Sequence, residues 1–429
     1  MRYSEGLRKE CRVMGRKTAI IAGIAILLVC GACGAGGSRQ QNAGKGTGAG
    51  QPSSAGPLSY GDQIGRLETA APVPLPTPSA APAPVIHKAS LAAIGDVLIH
   101  NSVYNDARTK DGGYDFKPML EQVKDLLTQP DLLVANQESI TGGEELGLSS
   151  YPQFNSPFQV GDALLDAGVD MITMANNHTL DKREKGVLSA TAYWDKIGMP
   201  YTGAFRSAED QSRLRILEKN GISFAFLAYT YGTNGIPVPE GKPYLVNLLD
   251  PVRMEQEIRD SKTKTNADFT VVSVHWGTEY QEEANTSQRE LAQQLADWGA
   301  DVIIGTHPHV LQTIEWVTAA DGRRALVMYS LGNFLSAQEK TIQLVGGIGQ
   351  IEAVKTVTGE QVELRLENPA FTPVYTSYVN WRNYRVIPMG KLDGEAFSQP
   401  KAVWSKIKTR MLRALPELQV RDGVEAAGE

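Results

Sequence analysis

Cysteine is nearly absent from this 429-residue chain: Cys11, Cys30 and Cys33 are the full set. No disulfide framework and no thiolate metal site can form beyond residue 33, so any metal held there must rely on His, Asp, Glu and Asn. Neither sign of charge is in large excess, with 42 Lys and Arg against 48 Asp and Glu and a net charge of −6. That balance gives no broad basic surface and speaks against a nucleic-acid partner. Long apolar runs are lacking too. The run Ala19–Val29 is shorter than the roughly 20 residues of a membrane span, although adding Cys30–Cys33 brings it near that limit. Histidine is scarce, six in all, and where those six fall is the most informative feature of the chain.

The N-terminal segment reads as an address. Arg8, Lys9, Arg12, Arg16 and Lys17 precede the apolar run, and Cys30-Gly31-Ala32-Cys33-Gly34 follows it. A basic region, a short apolar run and small residues make an export signal. Its end resembles a bacterial lipoprotein signal, with Cys33 the expected lipidation site, although Cys30 stands where such signals usually carry Leu. An uncleaved membrane anchor and a freely secreted protein are the alternatives. All three export the chain, and a lipid anchor would hold it at the outer face of the cell membrane. After the signal (1–33), residues 34–86 are Gly, Ser, Ala and Gln followed by Pro, too poor in apolar surface to offset their chain entropy. They read as a tether. The folded body is expected over 87–390 and a C-terminal tail over 391–429, with an amphipathic stretch at Val403–Leu415.

Strand and helix patterns alternate through the body. Ala89–Ile94 is an apolar strand ending at Gly95-Asp96, and Leu132–Ala135 is a second ending at Asn136-Gln137-Glu138. Between them Tyr114–Gln129 carries apolar residues at helical spacing. A helix over Phe158–Ala167 leads into the strand Met171–Met174, which stops at Asn176-Asn177-His178, and Lys185–Ile197 is again helical. Leu214–Leu217 and Ile222–Tyr229 flank the turn Lys219-Asn220-Gly221, a hairpin signal. The helix Pro251–Ser261 precedes the strand Phe269–Val274, which ends at His275. The helix Ser287–Trp298 precedes the buried strand Asp301–Ile304, and Gly305-Thr306-His307-Pro308-His309 follows. Beyond it the pattern turns all-β, at Leu311–Val317, Ala325–Tyr329, Gly347–Val357 and Glu363–Leu366. The alternation predicts an α/β sandwich with helices covering a mixed sheet.

The polar residues fall where these strands stop: Asp96, Glu138, Asn177 with His178, His275, and His307 with His309. Strands running one way bring such ends to one edge of a sheet, where α/β proteins bind ligands. Five of the six histidines, all but His87, lie at or near these ends, with His100 four residues past Asp96. Scattered core or surface histidines have no reason to gather in this way. On an extended backbone His307 and His309 would point the same way, with Pro308 stiffening the turn. Oxygen and imidazole donors without thiolate suit Zn, Mn or Fe in an open catalytic site more than a closed structural zinc.

With these blocks the chain is similar to the CapA family of capsule and poly-γ-glutamate synthesis, a branch of the calcineurin-like metallophosphoesterase superfamily. The matching blocks are Gly95-Asp96, Asn136-Gln137-Glu138, Asn176 to Asp181, His275 to Tyr280, Gly305 to Gln312, and Ser330-Leu331-Gly332-Asn333-Phe334. The resemblance covers about residues 88 to 336. It implies a metallophosphatase-like sandwich of mixed β-sheets flanked by helices, with a β-rich C-terminal part. It also implies two divalent transition-metal ions (Mn, Fe or Zn). Asp96 and His309 would bind one, Asn177, His275 and His307 the other, and Glu138 would bridge them. His178 would protonate a leaving group or orient the substrate. The chain departs from the wider superfamily in carrying Asp-x-x-x-His for Asp-x-His in the first block, and Glu138 at a bridging position where Asp is usual. These departures leave His100 without a ligand assignment and weaken the transfer of a phosphatase activity.

Around this set, Glu279 is expected to line the site, and Asn333 to close a turn beside the substrate. Asp181 either orients His178 or caps the helix beginning near Lys182. Two functions fit. One is an exported dinuclear metal hydrolase acting on an anionic surface polymer or its precursor. The other is a non-enzymatic assembly or export subunit for poly-γ-glutamate, working with membrane-bound polymer synthase subunits around a structural or vestigial metal site. A solute-binding lipoprotein shares the signal and tether but gives no reason for clustered histidines.

Overall fold

Residues 82–392 and 399–424 are described by a computed structural model, so the signal with its Cys33 lies outside the described residues. The first part of the body comprises β1 (Val85–Leu98), α1 (Asn101–Asp106), α2 (Lys117–Leu120), α3 (Lys124–Leu127), β2 (Leu132–Gln137), α4 (Gln159–Asp166), β3 (Met171–Thr173), α5 (Arg183–Ile197) and β4 (Tyr201–Thr202). Next come α6 (Ala208–Ser212), β5 (Arg215–Lys219), β6 (Ile222–Thr230), α7 (Pro251–Thr263), β7 (Phe269–His275), α8 (Thr286–Trp298) and β8 (Val302–Thr306). The remainder is β9 (Ile314–Thr318), β10 (Arg324–Met328), β11 (Asn333–Ser336), α9 (Thr341–Leu344), β12 (Val345–Thr358), β13 (Gln361–Val379), β14 (Arg382–Pro388), α10 (Pro400–Ala414) and β15 (Gln419–Val420).

These strands form two mixed sheets. One runs β14-β13-β12-β1-β2-β3-β4, with β11 beside β1 and β15 beside β13; the other runs β5-β6-β7-β8-β10-β9. Neighbours β1, β2 and β3 are parallel, and so are β6, β7 and β8. Beside β1, β12 pairs antiparallel as far as Ile94, and β11 takes over in parallel from Asp96.

Alternation along β1 shows why the sheets stack. Leu91 and Ala93 belong to the core with Phe224, Phe226, Val271 and Ile304 of the second sheet. Ala92 and Ile94 join the core formed with α2 to α5, which contribute Leu120, Leu127, Leu164, Val187 and Trp194. On the far side of the second sheet, Val272, Val274 and Ile303 pack with Met254 and Ile258 of α7 and Leu295 of α8. Each buried aliphatic side chain of this kind contributes roughly 1.5–3 kcal/mol. The result is the expected α/β sandwich of mixed sheets flanked by helices, β-rich towards its C-terminus.

Local signals set the ends of the helices beside the site. The Asp250 side chain accepts from the N–H groups of Val252 and Arg253, and Pro251 opens α7. Asn285 and Gln288 form a reciprocal capping box that starts α8 ten residues after His275. One expected helix is corrected. Tyr114–Gln129 holds two short helices, α2 and α3, parted by a turn at 121–123. Phe116, Leu120, Val123 and Leu127 are all buried, so the spacing reported the buried face and not an unbroken helix. The amphipathic stretch Val403–Leu415 lies almost wholly in α10, which packs Ile407, Met411 and the following Leu415 into the inter-sheet core.

Gly305, the next-to-last residue of β8, sits where there is no room for a side chain. A Cβ there would stand 2.0 Å from the Tyr329 carbonyl oxygen and 2.5 Å from Trp276 Nε1. Gly305→Ala should therefore cost about 1–3 kcal/mol of folding stability, the range of an overpacked core. Urea unfolding with a chelator present, so that metal loss adds nothing, measures this; a parent-like midpoint would overturn the close approach.

Candidate metal centre

The parallel strands of the two sheets end together, and the polar residues meet there. Asp96, near the end of β1, is buried; Asn136 Nδ2 donates to its Oδ1 (2.8 Å) and the His307 backbone N–H to its Oδ2 (3.3 Å). Glu138, just past β2, is fully buried, with His275 Nε2 3.6 Å and His309 Nε2 3.5 Å from its Oε1. Asn177, after β3, places its Oδ1 2.9 Å from the same His275 nitrogen. The other His275 nitrogen, Nδ1, lies 2.8 Å from Thr306 Oγ1. His307 completes the group, its ring 4.8 Å from that of His275 and 6.0 Å from that of His309. Glu138, His307 and His309 each offer a ligand atom within 4.8 Å of one another.

His307 and His309 converge for a different reason from the one expected. Neither is extended: their φ angles are +97° and +56°. Such left-handed backbone costs non-glycine residues on the order of 1–3 kcal/mol and persists only where surrounding contacts hold it. Here the Tyr280 N–H donates to the Pro308 carbonyl (2.8 Å), and Asn333 Nδ2 donates to the His309 carbonyl (3.3 Å).

The electrostatics fit a cation. Among the described residues, no Lys or Arg hydrogen-bonds or pairs with Asp96, Glu138, Asn177, His178, His275, His307 or His309. Neither carboxylate oxygen of Glu138 has a hydrogen-bond donor, and the buried Nδ1 of His307 has no partner either. Burial pushes the Glu138 carboxyl well above its usual range; His309 works against this, while Asp96, Glu279 and Asp181 add to it. Burial also lowers His275 far below the ordinary imidazole value and His307 to about 4, leaving both as neutral donors. His309 goes the other way. Burial opposes its charge, but Glu138, Asp96 and Glu279 together raise it to about 10. A buried group of carboxylate and imidazole donors with unpartnered atoms is what a divalent transition metal needs.

His178 stands at the same edge, its Nδ1 2.7 Å from Asp181 Oδ2. Asp181 also accepts the Phe154 N–H, and the helix after it has Lys182 at its N-cap with no side-chain cap, so Asp181 orients His178. Glu279 is exposed beside the centre and acts electrostatically on Glu138 and His309. Asn333, expected to close a turn beside the substrate, is fully buried and stands beside His309 with Oδ1 3.0 Å from His309 Nδ1. His100 is turned aside, its Nδ1 3.0 Å from the Leu98 carbonyl oxygen, and burial lowers it to about 4. His87 lies far along β1, its Nδ1 2.9 Å from the Asn220 carbonyl oxygen.

Two residues were missed from the sequence. Tyr231 stacks parallel over His275 at 6.2 Å and reaches within 4.7 Å of the His307 ring, half exposed. Asn234 accepts from Asn177 Nδ2 at 3.3 Å. Tyr231 carried the same signal as the others, since it directly follows an apolar strand. Asn333→Ala, which removes a partner of His309 without touching a metal donor, should weaken Mn(II) or Zn(II) binding about 10- to 100-fold. Calorimetric titration reads this, and unchanged affinity would remove Asn333 from the centre.

A two-sheet α/β sandwich with a buried, thiolate-free carboxylate and imidazole cluster defines the class: a protein whose sheet edge carries a group that could hold a metal ion. The chain belongs to the bacterial capsule synthesis protein family PGA_cap, whose model matches residues 90–338. It is 26% identical over 339 residues to the capsule biosynthesis protein CapA of Bacillus anthracis, covering 76% of this chain and 78% of that one. It is 28% identical over 278 residues to the PGA biosynthesis protein CapA of Bacillus subtilis (strain 168), covering 63% and 69%. Among solved structures, the sulfate thiohydrolase SoxB of Thermus thermophilus aligns over 67% of this chain and 43% of its own, at 14% identity and a TM-score of 0.32. That likeness is too loose to transfer a site or an activity.

Proposed function

We propose that this protein is a cell-surface metal-dependent hydrolase of capsule synthesis, acting on an anionic polymer or its precursor. The buried Glu138, His307 and His309 cluster carries this reading, because its carboxylate has no hydrogen-bond donor among the described residues. Asp96 and His309 would hold one ion and Asn177, His275 and His307 a second, with Glu138 between them; Mn, Fe or Zn suits these donors. Ions bound there would polarise a substrate oxygen and acidify a water.

The chain's own residues account for the rest. Asp181 engages His178 Nδ1, which leaves Nε2, without a hydrogen bond to any described residue, to give a proton to a leaving group. Tyr231 and Tyr280, 47% and 42% exposed, stand beside the imidazoles where a chain would enter. Names given to relatives, for capsule and PGA biosynthesis, support a place in a capsule polymer pathway; in this reading the polymer or its precursor would be the substrate and membrane-bound synthase subunits the partners. The N-terminal signal, with lipid on Cys33, would place the body outside the membrane; among the described residues no helix is long and apolar enough to cross one.

His178→Asn tests catalysis against assembly. The variant should keep its metal while kcat falls about 100-fold or more, the scale of a lost general acid, and cells carrying it should lose capsule. Normal capsule from His178→Asn, with the variant present at the surface and Asp96→Ala failing, would leave the non-enzymatic assembly role. For the anchor, Cys33→Ser should abolish palmitate labelling and Cys30→Ser should not. An unlabelled parent would mean an uncleaved anchor or an ordinary signal.

A further inference from the structure

α10 lies beyond the residues matched by the family model, yet one of its side chains reaches the two loops that follow His275 and carry His307 and His309. Arg410 is 12% exposed. Its Nη1 donates to Glu282 Oε2 (2.6 Å) and its Nη2 to the Leu311 carbonyl oxygen (2.8 Å). Leu311 is two residues from His309, and Glu282 lies in the loop that leaves His275 and carries Glu279 and Tyr280. These two loops are already joined by other hydrogen bonds. The Tyr280 N–H donates to the Pro308 carbonyl, and Gln312 Nε2 to the carbonyls of Gln281 (2.9 Å) and Glu283 (3.3 Å). Arg410 closes the join from outside.

Two further observations give that clamp a purpose. A pocket of about 90 Å³, partly open to solvent and lined by Val310, Leu311, Val403 and Ile407 together with Glu282 and Arg410 themselves, adjoins the loop that carries the two histidines. The loop therefore has room to relax into it, and its left-handed residues give it reason to. In addition, the buried Nε of Arg410 has no acceptor among the described residues. A buried unpartnered donor works against stability, so stability alone does not account for a guanidinium here.

We propose that Arg410 is a positioning residue. Its planar fork fixes the loop bearing His307 and His309 against the loop after His275, which makes the C-terminal helix part of the centre. The effect on metal affinity rests on the metal-binding reading above; the effect on the loops does not. Lysine replaces the fork with a single flexible ammonium and can serve only one of the two acceptors well.

The test uses the full chain with Arg410→Met, which keeps the apolar stem, Arg410→Lys, and Lys406→Ala as a control. Lys406 is 72% exposed and 3.9 Å from Glu282. Hydrogen exchange over residues 276–286 and 305–312 should quicken in Arg410→Met while α10 keeps its protection. Mn(II) affinity should fall about tenfold, the lower end for an outer partner of a metal site. Arg410→Lys should recover part of both effects, and Lys406→Ala should match the parent. Parent-like loops in Arg410→Met, quickening confined to α10, or an equal effect from Lys406→Ala would each overturn the proposal. A parent that takes up no Mn(II), Fe(II) or Zn(II) would refute the metal reading, and loop exchange alone would then decide the role of Arg410.

Discussion

One buried carboxylate sets the terms for everything around it. Glu138 is shut off from water, yet among the described residues no Lys or Arg reaches it and no backbone N–H satisfies it. An ionised carboxylate in such a place loses several kcal/mol of hydration that must be recovered from positive charge. In the metal-free protein burial holds the Glu138 carboxyl well above its usual range, while Glu138 and its acidic neighbours raise His309 to about 10 against its own burial. A divalent cation answers the same demand more completely. The arrangement is poorly suited to stability and well suited to holding metal.

Neither sheet could build this centre alone. Asp96, Glu138 and Asn177 come from the ends of β1, β2 and β3, whereas His275, His307 and His309 come from β7 and β8. The distance between the two half-sites is set by the apolar layer in which Leu91 and Ala93 meet Phe224, Val271 and Ile304. Close packing makes that layer stiff, so the carboxylates and imidazoles are held at fixed separation without touching the layer itself. Stability and site geometry are thus one property of the inter-sheet core.

Outside the donors lies a ring of hydrogen bonds that fixes their direction. Thr306 engages His275, Asn333 engages His309, Asn136 holds Asp96, and Asp181 holds His178. Such partners fix ring orientation and tautomer, and metal affinity depends on them nearly as much as on the ligands. The loop from Gly305 to Leu311 needs them most, because its two histidines adopt backbone angles they would not take freely.

Much of the centre was legible in the chain because its signals are local. An apolar run followed by Asp, Glu, Asn or His marks a strand end, and Asp96, Glu138, Asn177, His275, His307 and His309 could all be read in this way. The absence of cysteine beyond residue 33 settled the donor chemistry with no structure at all. Tyr231 carried the same local signal, but a tyrosine after a strand is too common to stand out. What the chain did not disclose depends on contacts between distant residues. Asn333 looked like a turn residue at the substrate's edge, and only its approach to His309, 24 positions away, shows that it supports a ring from behind. His307 and His309 looked extended, and only packing against Tyr280 and Asn333 turns both into the left-handed region. Arg410 resembled any cation on an amphipathic helix until folding brought it to Leu311, 99 residues earlier. Side-chain period and strand ends follow from the next few residues, so the sequence alone determined them. Which sheets face each other, and what stands behind each ligand, is decided by burial of the whole apolar surface at once, and only the tertiary structure settles it.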